Sequence, residues 1–268
     1  MSYVSADRET VSAELLALYS GDGKRLVVLM EAFLDESGTH NNSPIVGVAG
    51  WVGAHWQWNK FLSHWGEKPF HAKDPRCESL KHGLAEAIEF AELDGFVAWM
   101  QPEDYKPNSD PLFRSAIGNA YAVCAFDCVL GICKFVPKHT TAKIAFVIED
   151  GQSNSKFIRD VLDGMKAKRS DLGIASVGLA GKKDFVQLIT ADFLAYSHTS
   201  DPKWFEVLIS TGHVAEDHIT GGRMQRMSDE LLRRYKILKY RKQLLKRQRK
   251  QQSLSETQQI NCESKDNV

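Results

Sequence analysis

Cysteine is scarce and unpatterned in this sequence: five residues, an odd number, and no Cys-x-x-Cys pair. That argues against both a disulfide framework and a thiolate zinc site, and leaves Cys124, Cys128 and Cys133 as small core hydrophobes in a reducing compartment. No apolar run approaches the roughly 20 residues needed to span a bilayer, and no basic stretch followed by an apolar signal core opens the chain. The expectation is a cytoplasmic protein with no membrane association. Gly-x-Ser-x-Gly, Gly-x-x-x-x-Gly-Lys-Ser/Thr and Gly-x-Gly-x-x-Gly motifs are all missing, which removes the nucleophile elbow, the P-loop and the dinucleotide fingerprint. No internal repeat is present. Proline and glycine are at ordinary levels, so nothing points to a fibrous or wholly disordered chain, and 43% hydrophobic residues suffice for a globular core.

Net charge is also missing, but the zero conceals an asymmetry. From Arg223 to Lys250 twelve Lys/Arg face only Asp229 and Glu230, a local excess of ten positive charges that an acidic body must balance. Such a division points to a polyanionic partner or to pairing between the two parts.

What is present is organised around Leu26-Val27-Val28-Leu29-Met30-Glu31-Ala32-Phe33-Leu34, an apolar run delivering Asp35 and Glu36 into a Ser37-Gly38 turn. The pattern predicts a strand covered on both faces and ending at Asp35. A carboxylate there can hold a divalent cation or simply hydrogen-bond the following turn. Ile45 to Val52 predicts a second strand in hairpin with the first. Trp58, Phe61, Leu62 and Trp65 fall at helical spacing and are assigned to covering the sheet rather than stacking a base. A helix is expected from Glu78 to Leu93, a strand from Gly95 to Met100 and one long apolar helix from Pro111 to Phe135. Lys143 to Ile148 then repeats the opening logic, with Glu149, Asp150 and Gly151 at its end. Parallel strands ending on one edge would bring both acidic pairs together. After a helix from Asn154 to Lys168 and a strand from Ile174 to Leu179, Asp192 lies inside the apolar helix Phe185 to Tyr196, where a carboxylate needs a partner or a cation. Residues 200–222 read as mixed and partly helical. A short amphipathic helix is expected over 8–20, and a long basic one from Met224 to Lys250.

Three carboxylate positions, two on strands and one on a late helix, suit a two-metal phosphoryl-transfer site with ions about 3.5–4 Å apart. Hard oxygen ligands select Mg²⁺ or Mn²⁺ over zinc. Phe70-His71-Ala72-Lys73-Asp74 adds His71 and Asp74 as groups that could reach a metal, a phosphate or a proton in transit.

Phe33-Leu34-Asp35-Glu36-Ser37-Gly38, the Phe70 to Asp74 segment, Val147-Ile148-Glu149-Asp150-Gly151 and Leu188-Ile189-Thr190-Ala191-Asp192-Phe193-Leu194-Ala195-Tyr196 together resemble a bacterial and phage domain family of unknown function. That family is marked by an N-terminal Asp-Glu-Ser-Gly motif and has a predicted ribonuclease H-like fold. The resemblance, over about Leu26 to Ser197, implies an α/β fold, a ribonuclease H-like mixed sheet flanked by helices; the residues themselves add a C-terminal basic helical extension. It implies Asp35, one of Glu149 or Asp150, and Asp192 as metal-binding acids. The family's last motif usually reads Gln-Leu-Ala-Asp; here Ile189 and Thr190 precede Ala191-Asp192, and Gln187 lies further upstream. The expected division is an N-terminal helical extension over 1–23, the ribonuclease H-like domain over 24–222, the basic helix over 223–250 and a disordered tail over 251–268.

The leading reading is a metal-dependent nuclease acting on DNA or RNA. In it Asp35, Glu149 and Asp192 hold Mg²⁺ or Mn²⁺, Asp150 is the alternative ligand to Glu149, and His71 assists catalysis. One alternative makes Asp35 and Glu149 turn formers and pairs Asp192 with Lys182 or Lys183. Another is a non-catalytic nucleic-acid-binding or adaptor protein on the same fold. In the basic helix Arg233, Arg234, Lys239, Arg241, Lys242, Lys246 and Arg247 are the candidate nucleic-acid contacts. Its seam of Leu231, Leu232, Tyr235, Leu238 and Leu245 would equally serve packing on the body or homo-oligomerisation.

Overall fold

The computed structural model describes residues 29–38, 43–135, 142–151, 154–211, 213–233 and 236. The expected helix over 8–20, the start of the first strand, the hairpin tip at 39–42, most of the basic helix and the tail over 251–268 lie outside the described residues.

Six strands form one mixed sheet in the order β5-β4-β1-β2-β3-β6. β2 (Val46–Ala54) pairs antiparallel with β1 (Leu29–Ser37) on one side and with β3 (Asp94–Met100) on the other. β4 (Lys143–Glu149) lies parallel to β1, β5 (Ile174–Ala180) parallel to β4, and β6 (Val214–His218) parallel to β3. This is the mixed, helix-flanked α/β sheet that the ribonuclease H-like resemblance implies. β2, with no charged side chain, is buried along its whole length, as a strand covered on both faces must be.

Alternation along β1 divides the core. Ala32 and Leu34 face one layer with Val123, Cys124, Cys128 and Ile132 of α5 (Ala120–Phe135) and Ile158 and Leu162 of α6 (Ser155–Lys168). Phe33 faces the other, with Trp58, Phe61 and Trp65 of α1 (His55–Trp65), Leu84 and Ile88 of α2 (Lys81–Phe90), and Leu188 and Phe193 of α7 (Leu188–Ser200). Each large side chain so buried contributes roughly 2–3 kcal/mol, which is why the aromatic stripe of α1 serves the core. Cys77, Cys124, Cys128 and Cys133 are free thiols, the first three buried.

Several boundaries differ from the sequence expectation. The helix expected from Glu78 to Leu93 begins instead as a 3-10 turn, Pro75–Leu80, because Asp74 caps it through the Arg76 N–H at 2.9 Å and Pro75 starts it. α3 (Pro102–Tyr105) is a single turn. The long apolar helix is broken: α4 (Pro111–Ile117) and α5 meet at 64°. Gly118, at φ +100°, makes the break, and a Cβ there would stand 2.0 Å from the Phe157 ring. Asn119 then starts α5 by accepting from the Ala122 N–H at 3.1 Å. Residues 200–222 hold α8 (Pro202–Ser210) and β6 before α9, a helix over 221–233. β6 was not anticipated, since Val-Ala-Glu-Asp-His has the polarity of a loop and becomes a strand only by pairing at the edge with β3. Finally, β1 does not stop at Asp35: it stays paired with β2 as far as Ser37, while its ladder with β4 ends at Leu34 opposite Ile148.

Candidate active site

That unequal ending of the two ladders builds the site. Asp35 is the first β1 residue beyond the parallel ladder and Glu149 the first of β4, and both fall on the face of Phe33 and Val147, towards α7. Asp35 remains 4% exposed and Glu149 partly buried. Across from them α7 places Asp192, 7% exposed, among apolar neighbours. α7 is tied to the sheet by the Trp51 indole N–H, which donates to the Thr190 carbonyl at 3.0 Å, and by contact between the Ser37 and Thr199 hydroxyls.

Two basic groups meet these acids. Lys182, in the turn between β5 and α7, places Nζ 3.1 Å from Glu149 Oε2 and 3.2 Å from Asp192 Oδ2. His71 Nδ1 lies 3.0 Å from Asp192 Oδ2, and the Ala72 N–H donates to the same oxygen at 2.8 Å. The Phe70-to-Asp74 segment thus reaches Asp192 through a tight turn closed by the Asp74 N–H on the His71 carbonyl. Asp35 Oδ1 accepts from the Glu36 N–H at 2.7 Å, a local contact of the kind that a turn-forming Asp would make, but its carboxyl also hydrogen-bonds Glu149.

The electrostatics follow from burial and crowding. Burial first, then the Glu149 carboxylate and its hydrogen bond, hold the Asp35 carboxyl well above its usual range; Lys182 opposes this and Asp192 adds to it. Asp192 ends below the ordinary range, because the upward pull of burial is outweighed by the His71 hydrogen bond, Lys182 and the Ala72 N–H. Hydrogen bonding to Asp192 in turn raises His71. Burial acts to lower Lys182, yet Asp192, Asp35 and Glu149 together raise it. Three carboxylates against one ammonium leave the cluster with a surplus of two formal negative charges, before any protonation of Asp35 or His71.

The other sequence candidates fall elsewhere. Asp150 lies in the exposed turn after β4, its Oδ1 taken by the Gly151 N–H at 2.8 Å. Asp74 is held by the Arg76 guanidinium through both carboxylate oxygens, outside the cluster. Arg233 is exposed and paired with Glu230 at 2.7 Å. Arg234, Lys239, Arg241, Lys242, Lys246 and Arg247 lie outside the described residues. Lys182 pairs with Asp192, as the alternative reading of the sequence expected of Lys182 or Lys183, and meets Glu149 as well, which that reading did not expect. Glu36, the other acid of the first pair, turns to the opposite face, where burial raises it to about 7.

Among the described residues no group of three or more His, Cys, Asp or Glu side chains is spaced to hold a metal ion as it stands, and the Lys182 ammonium lies between two of the three acids. No family model matches the chain, and no curated protein matches it. Among solved structures, one similar to it is ribonuclease HII from Archaeoglobus fulgidus, determined in complex with PCNA. That match has a TM-score of 0.41 and 16% identity, over 76% of this chain and 88% of that one. Another is Bst ribonuclease HIII, determined in complex with Mn²⁺, with a TM-score of 0.40 and 14% identity over 65% of this chain and 53% of that one. Likenesses at this level bear on neither the substrate nor the chemistry of the present chain.

Proposed function

We propose that this chain is a divalent-metal-dependent nuclease that hydrolyses phosphodiester bonds of DNA or RNA, with Asp35, Glu149 and Asp192 as the side chains that would hold Mg²⁺ or Mn²⁺. The supporting observation is the convergence of these three acids from β1, β4 and α7 on one face, beyond the end of the parallel ladder. The donor set fits such an ion chemically: hard oxygens, largely buried, with uncompensated negative charge and a cationic nitrogen already seated among them. When bound, the metal would supply an activated water and stabilisation of charge on the leaving oxygen. Burial and the neighbouring Glu149 carboxylate hold the Asp35 carboxyl well above its usual range, a cost that a bound cation would relieve. Asp192 orients the His71 ring through Nδ1, and that ring, 58% exposed, is placed to exchange a proton with substrate or solvent. Membership of the Asp-Glu-Ser-Gly family and a cytoplasmic setting belong to the same reading.

Calorimetric titration with Mn²⁺ of the intact protein and of an Asp35→Asn, Asp192→Asn double variant, its folding checked by circular dichroism, tests the site. Cleavage of DNA, RNA and hybrid duplexes tests the activity. Uptake and cleavage lost together in the variant would support the reading. No uptake and no cleavage by the intact protein, with or without oligonucleotide, would overturn it.

A second reading, a non-catalytic nucleic-acid-binding protein, is favoured by one observation: Lys182 already neutralises part of the cluster. Salt-dependent oligonucleotide binding without Mn²⁺ uptake would support it. The basic helix is best probed by truncation after Lys236, because Met224 is wholly buried and Arg223 is anchored to Asp127, so an earlier cut would damage the core.

A further inference from the structure

The position of Lys182 says more than that the cluster is partly neutralised. Its ammonium touches Glu149 and Asp192 at nearly equal distances, 3.1 and 3.2 Å, and its charge also acts on Asp35. The acids stand on rigid elements, two central strands and a buried helix. The lysine does not: it sits on the turn over residues 181–185, closed by the Asp184 and Phe185 N–H groups on the Gly181 carbonyl, with Asp184 and Phe185 exposed beside it. A four-carbon stem on a surface turn can rotate outward without disturbing the sheet. A single ammonium also leaves a surplus of two formal negative charges, whereas a divalent ion in its place would reduce that surplus to one. The seated ammonium is itself a sign that the space between Glu149 and Asp192 accepts a cation.

We infer that Lys182 is a gate on the cation site: its ammonium fills the space between Glu149 and Asp192 until a divalent cation displaces it, and its outward swing frees both carboxylates together. The inference rests on the metal reading above and adds regulation to it. An occupied gate lowers apparent metal affinity by the fraction of time that the site stands open. If the open form is a minor state of roughly 1–10%, apparent affinity is reduced about tenfold to a hundredfold. The chain would then be poorly charged with metal at low Mg²⁺ or Mn²⁺, and charging would expose a lysine at the mouth of the site.

Two measurements test this. In the first, Mn²⁺ is titrated calorimetrically into the wild-type protein, Lys182→Met, Lys182→Gln, and Lys182→Met combined with Asp35→Asn and Asp192→Asn. The single variants are expected to bind about tenfold or more tightly than wild type, and the combined variant not to bind. In the second, the wild-type protein is labelled with an amine-reactive reagent with and without Mg²⁺, and the Lys182 peptide is quantified by mass spectrometry against the exposed neighbour Lys183. Labelling of Lys182 should rise with Mg²⁺ while that of Lys183 stays level. Should the single variants fail to fold, the wild-type labelling decides by itself. Metal uptake with unchanged Lys182 labelling, or equal affinities in wild type and variants, would overturn the gate and leave the metal site standing. Absence of uptake in wild type and Lys182 variants alike would overturn both.

Discussion

Two buried ionic clusters lie on opposite faces of the sheet, and they are built differently. On the α5 face Arg223 of α9 reaches Asp127 of α5 with one arm of its guanidinium and Asp217 of β6 with the other. On the α7 face three carboxylates from three elements surround one lysine. The first is a staple: a planar fork meets acids on two packed elements and ties the start of the C-terminal helix to the body, beside wholly buried Met224. In the second a compact ammonium on a flexible stem leaves acids in excess. An arginine fork fits a permanent tie, whereas a lysine among surplus carboxylates leaves room for exchange, and the surplus negative charge is two in the second cluster against one in the first.

The sharpest way to break this contrast is to neutralise acids in the α7-face cluster. Asp35→Asn or Asp192→Asn should lower cleavage by about 10³-fold, equivalent to about 4 kcal/mol of transition-state stabilisation, and weaken Mn²⁺ binding in parallel. Urea unfolding should meanwhile move little for Asp35→Asn, since burial and the neighbouring Glu149 carboxylate both oppose a charge at that position. A large loss of stability without loss of cleavage would reverse the roles assigned to the two clusters. Arg223→Ala should do the opposite, costing about 3 kcal/mol of folding stability because it strands Asp127 in the core, with Mn²⁺ binding unchanged; Arg223→Lys should restore only part.

Acidity sharpens the same contrast. Burial raises Asp127 from its ordinary 3.8 to about 6, with Arg223 opposing and Asp217 assisting. The fold therefore favours the protonated form: the stability this contributes is complete below the unfolded value and is lost as pH rises through about 6. Asp127→Asn should flatten the fall in unfolding free energy across that window by roughly 2–3 kcal/mol, measured as the wild-type minus variant difference in urea titrations. Smallest is Asp74→Ala: Mn²⁺ binding should be unchanged, and loss of its cap on the Arg76 N–H should lower folding stability in urea by only about 1 kcal/mol.

Much of this was legible in the chain. Apolar runs ending in Asp35 and Glu149 marked the two strands because burial on both faces demands such runs, and the lone acid in the apolar stretch around Asp192 marked a carboxylate that needed a partner. The kinked α4–α5 pair was hidden because Gly118 and Asn119 act within a periodicity that continues across them, and the break is enforced by Phe157 from another helix. β6 was hidden because edge pairing, not composition, makes it a strand.

The sequence by itself determined the local elements that carry acids: which segments are apolar enough to be central strands, where their charges begin, and which helix must bury a carboxylate. These are short-range consequences of periodicity and burial. The tertiary structure alone decided that β1 and β4 run parallel with Asp35 beside Glu149, that Glu149 rather than Asp150 faces Asp192, and that Lys182 rather than Lys183 enters between them. Those choices depend on register and on the pointing of single side chains, which a one-residue shift would reverse and which packing of distant elements fixes.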